Sequence, residues 1–520
     1  MRHEYALPED FAAADIADTL CQRFALRDLG AQRWVVCYFD TFDWRLFNQG
    51  YVLEEHRNGS SNHLHWRCLE NGAPDRVLPN ARMPHFAHEL PVGAFRERLS
   101  GFTEPRALLP QVIVHTQAHT LNFENDDGKT LARLTFETGS LADADHTKAA
   151  PVVARRLRLQ PLRGYEASCK ALSREVKRLG LRLAEHDLMV EALAFSGRRP
   201  ACYVVRPRVH LAPEARTDEA ARQLLSAFFG VMQCNLPGVR ARTDPEFLHD
   251  FRTSLRRARA LLSELDGVFP KRTLERYRRD LKWLGEITGD ARDLDVLVLS
   301  LDDYASLLEE EGEVREAFST HCQSFVAREL EQAYERLHER LASVRFERLV
   351  SSLKEFVASP APRRTPLEHA MAPIDGYARA RLRRRFRKLR KAAVGAGDGQ
   401  DAQVLHDARI VAKRCRYLLD AFATLLPKDR VRALRRELKA LQDQLGTHHD
   451  CYVHEQALIT LSERMRLQDA LTPAVASAIE QLRVGLQAKQ RDLGVEAAAS
   501  LRTFASKDMR VLCKALFAAP

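Results

Sequence analysis

Two short segments hold the side chains best placed to do chemistry. Leu248-His249-Asp250-Phe251-Arg252 runs on through Arg256 and Arg259, and Leu405-His406-Asp407-Ala408-Arg409 runs on through Lys413 and Arg416. On a helix at 100° per residue, with His249 at zero, Arg252, Arg256 and Arg259 fall at about 300°, 340° and 280°. All four share one sector about 80° wide, and His406, Arg409, Lys413 and Arg416 repeat the arrangement. Arg278 with Lys282, and Arg435 with Lys439, are i,i+4 pairs on the following helix of each half. Stacked like charges repel, so such a stripe costs stability unless an anion lies along it. Arginine's planar fork grips phosphate oxygens in bidentate fashion, and lysine adds a point charge. Histidine donates one hydrogen bond when neutral and two when protonated. Neighbouring cations lower its pKa, and a bound polyanion raises it.

A third basic element follows. From Arg379 to Lys391 there are nine basic residues and no acidic one, with Arg383, Arg384, Arg387 and Lys388 as binding candidates. The corresponding stretch of the first half, Arg222 to Cys234, is apolar, so the halves differ in charge. A charge run by itself is usually a solvated helix face. Two matching stripes beside it favour phosphate binding. Asp250/Asp407, Arg257/Arg414 and Asp293/Asp450 lie off the stripes and read as internal ion pairs holding the bundle.

These residues are positioned by a repeat. The shift, 406 minus 249, is 157, and it also brings Pro270 onto Pro427, Arg278 onto Arg435, Lys282 onto Lys439 and Gly289 onto Gly446. A constant shift through a helix, a proline break and a second helix implies two similar helical bundles related by a pseudo-twofold axis. The repeat occupies long amphipathic stretches rich in Leu, Ala, Arg and Glu from about Asp218 onward. Ala358 to Pro366, with three prolines, reads as a linker, and Val394 to Ala402, with three glycines, as a loop. The first ~200 residues are different: short aromatic and branched runs, Trp34 to Phe39, Leu64 to Leu69 and Leu131 to Phe136, are separated by turn clusters such as Asn58 to Asn62. Ala167 to Leu179 reads as a helix stopped by Gly180, and Leu211 to Thr217 as the domain boundary.

Bulk properties exclude several classes. At 520 residues the chain exceeds one ordinary core. The net charge is +10, and from Pro213 onward 52 Lys+Arg stand against 44 Asp+Glu, a balance of +8. A cationic second part suggests a polyanionic partner. No run of about 18 apolar residues is present, so no membrane span is expected. MRHEYALPED lacks the apolar centre of a signal peptide, and ten scattered cysteines without a CxxC pair fit a reducing, cytoplasmic setting.

The segments LHDFRTSLRRAR, LGEITGDARDLDVLV, LHDARIVAKRCRYLL and LQDQLGTHHDCYV together resemble the CHAD family, the conserved-histidine α-helical domains. The resemblance covers roughly Asp218 to Pro520. It implies paired helical bundles that bind inorganic polyphosphate through His249, Arg252, Arg256 and Arg259 and through His406, Arg409, Lys413 and Arg416. Where the first half reads Ala291-Arg292-Asp293, the second reads His448-His449-Asp450, and no ligand role is assigned to those histidines. In the amino-terminal part, Tyr38-Phe39-Asp40-Thr41, Leu46, Gly50-Tyr51-Val52-Leu53 and Leu159 to Tyr165 resemble the CYTH or triphosphate tunnel family. That resemblance implies an eight-stranded antiparallel barrel whose carboxylates hold a divalent metal against triphosphate. The family's opening ExExK falls on Glu4, Ala6 and Pro8, Glu54 stands where an arginine is expected, and the late strand reads Arg155-Arg156-Leu157-Arg158-Leu159-Gln160. Metal-assisted phosphoryl transfer needs oxygen ligands that this pattern lacks.

The expectation is therefore an α+β chain: a non-catalytic, CYTH-like antiparallel β-barrel over 1–205, then an all-α region over 213–520 with halves of about 218–357 and 367–520. Its expected function is polyphosphate binding without enzymatic activity, metal or cofactor, in the cytoplasm and on polyphosphate granules. Packing, homodimerisation or a partner surface remain open as roles for the barrel. Three rivals are weighed. A metal phosphohydrolase built on the His-Asp doublets would set its metal beside an arginine stripe, which is unfavourable. A triphosphatase would need the missing carboxylates. Nucleic acid would suit the stripes, but no aromatic platform or reading motif accompanies them.

Overall fold

The computed structural model describes residues 4–8, 11–59, 61–70, 74–141, 151–162, 164–308, 313–397, 399 and 401–518. Ser60 of the first turn cluster, Arg163 of the Leu159–Tyr165 segment, and Asp398 and Gln400 of the glycine loop lie outside the described residues. The chain divides into two compact units, Met1–Val204 and Val205–Pro520. No helix among the described residues is long and apolar enough to cross a membrane.

The first unit holds β1 (Glu4–Ala6), α1 (Ala13–Cys21), β2 (Leu26–Asp40), α2 (Arg45–Asn48), β3 (Tyr51–Asn58), β4 (Ser61–Cys68), β5 (Pro74–Pro79), α3 (Ala94–Thr103), β6 (Leu109–Glu124), β7 (Thr130–Leu141), β8 (Val152–Pro161), α4 (Glu166–Arg178), β9 (Arg182–Leu183) and α5 (Leu188–Phe195). The aromatic and branched runs fall on β2, β4 and β7, with Leu69 one residue past the end of β4. The strands form one antiparallel sheet in the order β5-β4-β3-β2-β6-β7-β8-β1-β9. The expected barrel is corrected here: the ladder has nine strands and two edges and stays open. β9 is only two residues long, and β5 carries Pro74 and Pro79, whose nitrogens have no hydrogen to donate across a seam. Alternation along β2 separates two cores. Val36 and Tyr38 join Leu188, Met189 and Leu193 of α5, whereas Cys37 and Phe39 join Phe95 and Leu99 of α3.

The second unit is helical: α6 (Thr217–Ala241), α7 (Pro245–Leu262), α8 (Lys271–Ile287), α9 (Gly289–Ser306), α10 (Glu313–Leu341), α11 (Val344–Ala358), α12 (Ile374–Gly395), α13 (Ala402–Ala421), α14 (Lys428–Leu467), α15 (Pro473–Ala505) and α16 (Lys507–Phe517). α6, α7 and α8 begin at Thr217, Pro245 and Lys271, and α12, α13 and α14 begin at Ile374, Ala402 and Lys428, each 157 residues later. The caps repeat as well. Asp244 accepts from the amides of Glu246 and Phe247, and Asp401 accepts from those of Gln403 and Val404. The halves diverge at one break, because α8 and α9 are separated at Thr288 whereas α14 runs unbroken through the equivalent Leu445–Gly446.

The axis relating the halves is visible in backbone hydrogen bonds. Arg216 and Pro373, equivalent positions, form an antiparallel bridge. Around it Thr217 N donates to Ala372 O at 3.0 Å and Ile374 N to Ala215 O at 2.9 Å. Asp218 N donates to Ala370 O and Asp375 N to Pro213 O, both at 3.1 Å. Each bond maps onto its reciprocal under the 157-residue shift, as a twofold axis requires.

Candidate phosphate-polymer site

α7 is held on the bundle by an apolar row, Leu248, Phe251, Leu255, Ala258 and Leu262, all buried. That row leaves the basic stripe on another side of the helix. Arg252 and His249 are half-buried there, and Arg256 and Arg259 are exposed. α13 is held on the bundle in the same manner, on buried Leu405, Ala408, Ala412, Cys415 and Leu419. Between α7, α8 and α13 lies a cavity of about 330 Å³ that receives Arg256, Arg259, Arg278, Lys282, Lys413 and Arg414, with Ile410 and Tyr417 on its wall. No carboxylate lines it.

The faces that meet are not the symmetric ones. α7 contributes positions 256, 259, 260 and 263, and α13 contributes 410, 413, 414 and 417. Each set has i, i+3, i+4, i+7 spacing, but 410 minus 256 is 154, three short of the repeat. The cavity is thus lined by non-equivalent positions of the two helices. Arg414, and not Arg416, lines the cavity. Arg416 instead lies over the ring of Tyr417, its guanidinium carbon 5.8 Å from the centroid. Arg257, read with Arg414 and the off-stripe aspartates as part of internal ion pairs, is buried and donates to the Val205 carbonyl at 3.0 Å. Asp450 pairs with a stripe residue, Arg409, at 3.7 Å.

At the mouth end of each stripe the two histidines are held alike. Arg292 Nη2 lies 3.0 Å from His249 Nδ1, and His449 Nδ1 lies 3.2 Å from His406 Nδ1. Residues 292 and 449 are themselves 157 apart. Sequence reasoning left both out of the site, although aligning the second helices at the shift that aligns the first would have found them. Burial, with Arg409, His406 and Lys413 beside it, pushes His449 down to about 4. It is therefore neutral at pH 7 and can accept as well as donate.

Arg252 donates from Nη1 to the Gly285 carbonyl and to Thr288 Oγ1, both at 2.8 Å. Its pKa is lowered by burial, against the attraction of Asp293, and further by Arg256, Arg292 and Arg259. Arg409 is lowered by burial, against Asp450, and by Arg256 of the opposite half. Lys413 is pushed down to about 8 by burial, with Arg409 and Arg256 adding to it. The cations of both halves sense one another, so the two stripes form one electropositive site.

The remaining candidates are dispersed. Arg278 is tied to the end of α7, donating to the Leu262 carbonyl at 2.7 Å and to Asp266 at 2.7 Å, while still lining the cavity. Lys282 is exposed and sits 3.7 Å from Glu286. Arg435 donates to Asp420 at 2.8 Å and Lys439 is exposed, and neither lines the cavity. On α12, Arg384 approaches Glu264 at 3.7 Å, Lys388 is exposed, and Arg383 and Arg387 turn to a different cavity between α12 and α16. Arg385, not singled out by the sequence, is buried in an ion pair with buried Glu264.

Residues 223–459 match the CHAD domain. This segment is a CHAD domain. A still uncharacterized protein of Mycobacterium tuberculosis strain H37Rv is 30% identical over 216 residues, 41% of this chain and 40% of the relative, so the chain spans two fifths of the length of the curated relatives it matches. The crystal structure of the CHAD domain from the plant Ricinus communis aligns at TM-score 0.47 with 27% identity, covering 57% of this chain and 95% of that one. A putative adenylyl cyclase from Hippeastrum, described as having a dominant triphosphatase activity, aligns at TM-score 0.26 with 13% identity, covering 39% of this chain and 98% of that one. The CHAD match spans all three cavity-forming helices, α7, α8 and α13.

In the first unit, the sheet face beneath α5 gathers charge. Glu4 pairs with Arg156 at 3.0 Å and Arg158 at 3.2 Å, Glu137 pairs with Arg158 at 3.2 Å, and Arg67 bridges Glu54 at 2.6 Å and Asp187 at 2.7 Å. Glu54, His56 and His65 have ligand atoms within 4.8 Å of one another, the set among the described residues that could hold a cation. The Glu54 carboxylate, however, already accepts from Arg67 at 2.6 Å and lies 2.9 Å from His56 Nε2. Against its burial, Arg67 and His56 hold it well below the usual carboxylate range. Burial, with His56 beside it, pushes His65 down to about 4. A divalent ion would compete with arginine for every buried carboxylate here, so the residues do not fit an open metal site for phosphoryl transfer.

Proposed function

We propose that the CHAD domain binds inorganic polyphosphate in the cleft between α7, α8 and α13. The observation that carries this reading is the convergence of six cations from both pseudo-symmetric halves on one cavity lined by no carboxylate. Such an arrangement is unfavourable in isolation, and a phosphate polymer relieves it at many points at once. Arg256, Arg259, Arg278 and Arg414 supply bidentate forks, and Lys282 and Lys413 supply point charges. A longer chain would continue from the cleft along the stripes of α7 and α13, on which His249 and His406 stand. Association with polyphosphate granules follows as an extension of this reading, visible as co-localisation with a polyphosphate dye.

The first unit is proposed as non-catalytic. Its buried carboxylates are neutralised by Arg67, Arg156 and Arg158, which supports a structural or partner-binding face over a metal centre.

The test is a titration of the full chain with long-chain polyphosphate across a salt series, with duplex DNA and triphosphate plus manganese in parallel. Tight, salt-sensitive polyphosphate binding without phosphate release is expected, weakened in Arg256→Glu/Lys413→Glu. Equal affinity for DNA would reduce the site to a general polyanion cleft. Release of phosphate from triphosphate would overturn the non-catalytic reading of the first unit.

A further inference from the structure

The second cavity, between α12 and α16, occupies the place where the first half has a closed apolar contact. In the first half, α6 and α11 meet through Phe229, Met232, Phe346, Leu349 and Leu353, leaving only about 20 Å³. In the second half, the equivalent helices α12 and α16 leave about 530 Å³. Its floor is apolar, made by buried Phe386, Phe504 and Met509, and its rim is Arg383, Arg387, Arg390, Arg510 and Lys514. No carboxylate lines this cavity either. At the 157-residue shift, Arg383, Arg387 and Arg390 replace Ser226, Gly230 and Gln233. With α11 and α16 aligned on their capping serines, Ser343 and Ser506, Arg510 and Lys514 replace Glu347 and Ser351. The second half has opened the contact and gained positive charge at every rim position.

Part of this charge has a structural task. The last carbonyls of α16 are taken by Arg379, which donates to Leu516 and Ala518, by Arg383, which donates to Phe517, and by Arg430, which donates to Ala515. With that helix end satisfied, Arg387, Arg390, Arg510 and Lys514 have no ion-pair partner among the described residues. Four unpaired cations around an apolar floor repel one another and gain nothing from water exclusion. An inorganic polymer would satisfy the rim but leave the floor bare.

We infer that this cavity binds an organic phosphate of nucleotide size, its aromatic body on the Phe386–Phe504–Met509 floor and its phosphoryl groups on Arg387, Arg390, Arg510 and Lys514. The site lies on a different face of α12 from Arg384 and Arg385, which pair with Glu264 beside the central cleft. It stands independently of how the central cleft is read.

The experiment is calorimetric titration of the full chain with ATP, GTP, CTP and UTP, and with inorganic triphosphate, without divalent metal. Three proteins are compared: the unmodified chain, Arg387→Gln/Arg510→Gln, and the cleft variant Arg256→Gln/Lys413→Gln. At least one nucleotide should bind the unmodified chain and the cleft variant equally, and more tightly than triphosphate binds the cleft variant. Its affinity should fall about tenfold or more in Arg387→Gln/Arg510→Gln while long-chain polyphosphate affinity stays within about twofold. Because these rim residues are exposed, thermal melting should be unchanged, and Lys514→Gln alone should shift nucleotide affinity in the same direction. The inference is overturned if no nucleotide responds to the rim substitutions, or if triphosphate binds the cleft variant as tightly as every nucleotide. Loss of polyphosphate binding in neither variant would instead refute the cleft assignment and leave the nucleotide result standing.

Discussion

Replacing Lys413 with methionine should make the protein more stable and a poorer binder at the same time. Lys413 stands in the cleft with a pKa pushed from the usual 10.5 to about 8, first by burial and then by Arg409 and Arg256. At pH 7 the lysine is charged in both folded and unfolded chains, so the folded state carries the whole unfavourable difference. A shift of that size corresponds to about 3 kcal/mol as a ceiling, and partial exposure of the side chain to water reduces it to about 1–2 kcal/mol. Methionine keeps the length of the apolar stem and removes the charge. The helical unit should therefore melt about 2–4 °C higher at pH 7. Between about pH 8 and 10.5 the unfolded chain retains a proton that the folded chain has lost, so the unmodified protein gains stability with rising pH. Lys413→Met lacks that gain, and its advantage should shrink toward zero across this window. Polyphosphate titration should show about tenfold weaker binding and a log–log salt slope smaller by about 0.7. The assays are calorimetric melting at pH 7 and 9.5 and a binding titration at several salt concentrations. A variant that melts lower at pH 7, or binds polyphosphate as well as the unmodified chain, would refute the claim that Lys413 is held charged for the ligand's sake.

Other outcomes follow from the same geometry. Polyphosphate affinity should fall as pH rises through about 8, because binding restores the proton on Lys413; a titration series over pH 7–9.5 checks it. Arg252→Ala should destabilise the helical unit by about 1–2 kcal/mol in denaturant melts, since the Gly285 carbonyl and Thr288 lose their donor. Arg385→Leu should cost about 3–5 kcal/mol by the same assay, because it strands Glu264 in the core. Arg414→Glu should weaken polyphosphate binding more than Arg416→Glu, in reverse of the stripe read from the sequence, as measured by paired titrations.

What the sequence disclosed was whatever depends on local periodicity or on the repeat. The sector shared by His249, Arg252, Arg256 and Arg259 follows from spacing along one helix, and the 157-residue shift that pairs Pro270 with Pro427 carries over to the starts of α8 and α14. The rotation between helices does not. Whether Arg414 or Arg416 lines the cleft depends on how α13 sits against α7, which a helical wheel of either helix alone does not give. Sheet closure failed for a similar reason. The alternating strands were legible, but a ladder closes only if its edge strands can pair, and the shortness of β9 and the proline ends of β5 are properties of the edges.

The internal repeat explains more than it first did as a fold signature. Had both halves kept one role, divergence would be scattered. Instead it is concentrated where α8 and α9 break but α14 does not, where Arg414 displaces Arg416, and where α12 and α16 trade an apolar contact for a basic cavity. The axis itself is conserved down to reciprocal backbone bonds around Arg216 and Pro373. Symmetry is therefore retained where the two bundles must fit together and lost where the cations gather. Inorganic polyphosphate reads the same in either chain direction, so the offset of the two faces would set where along a strand the cations fall and not which way the strand runs.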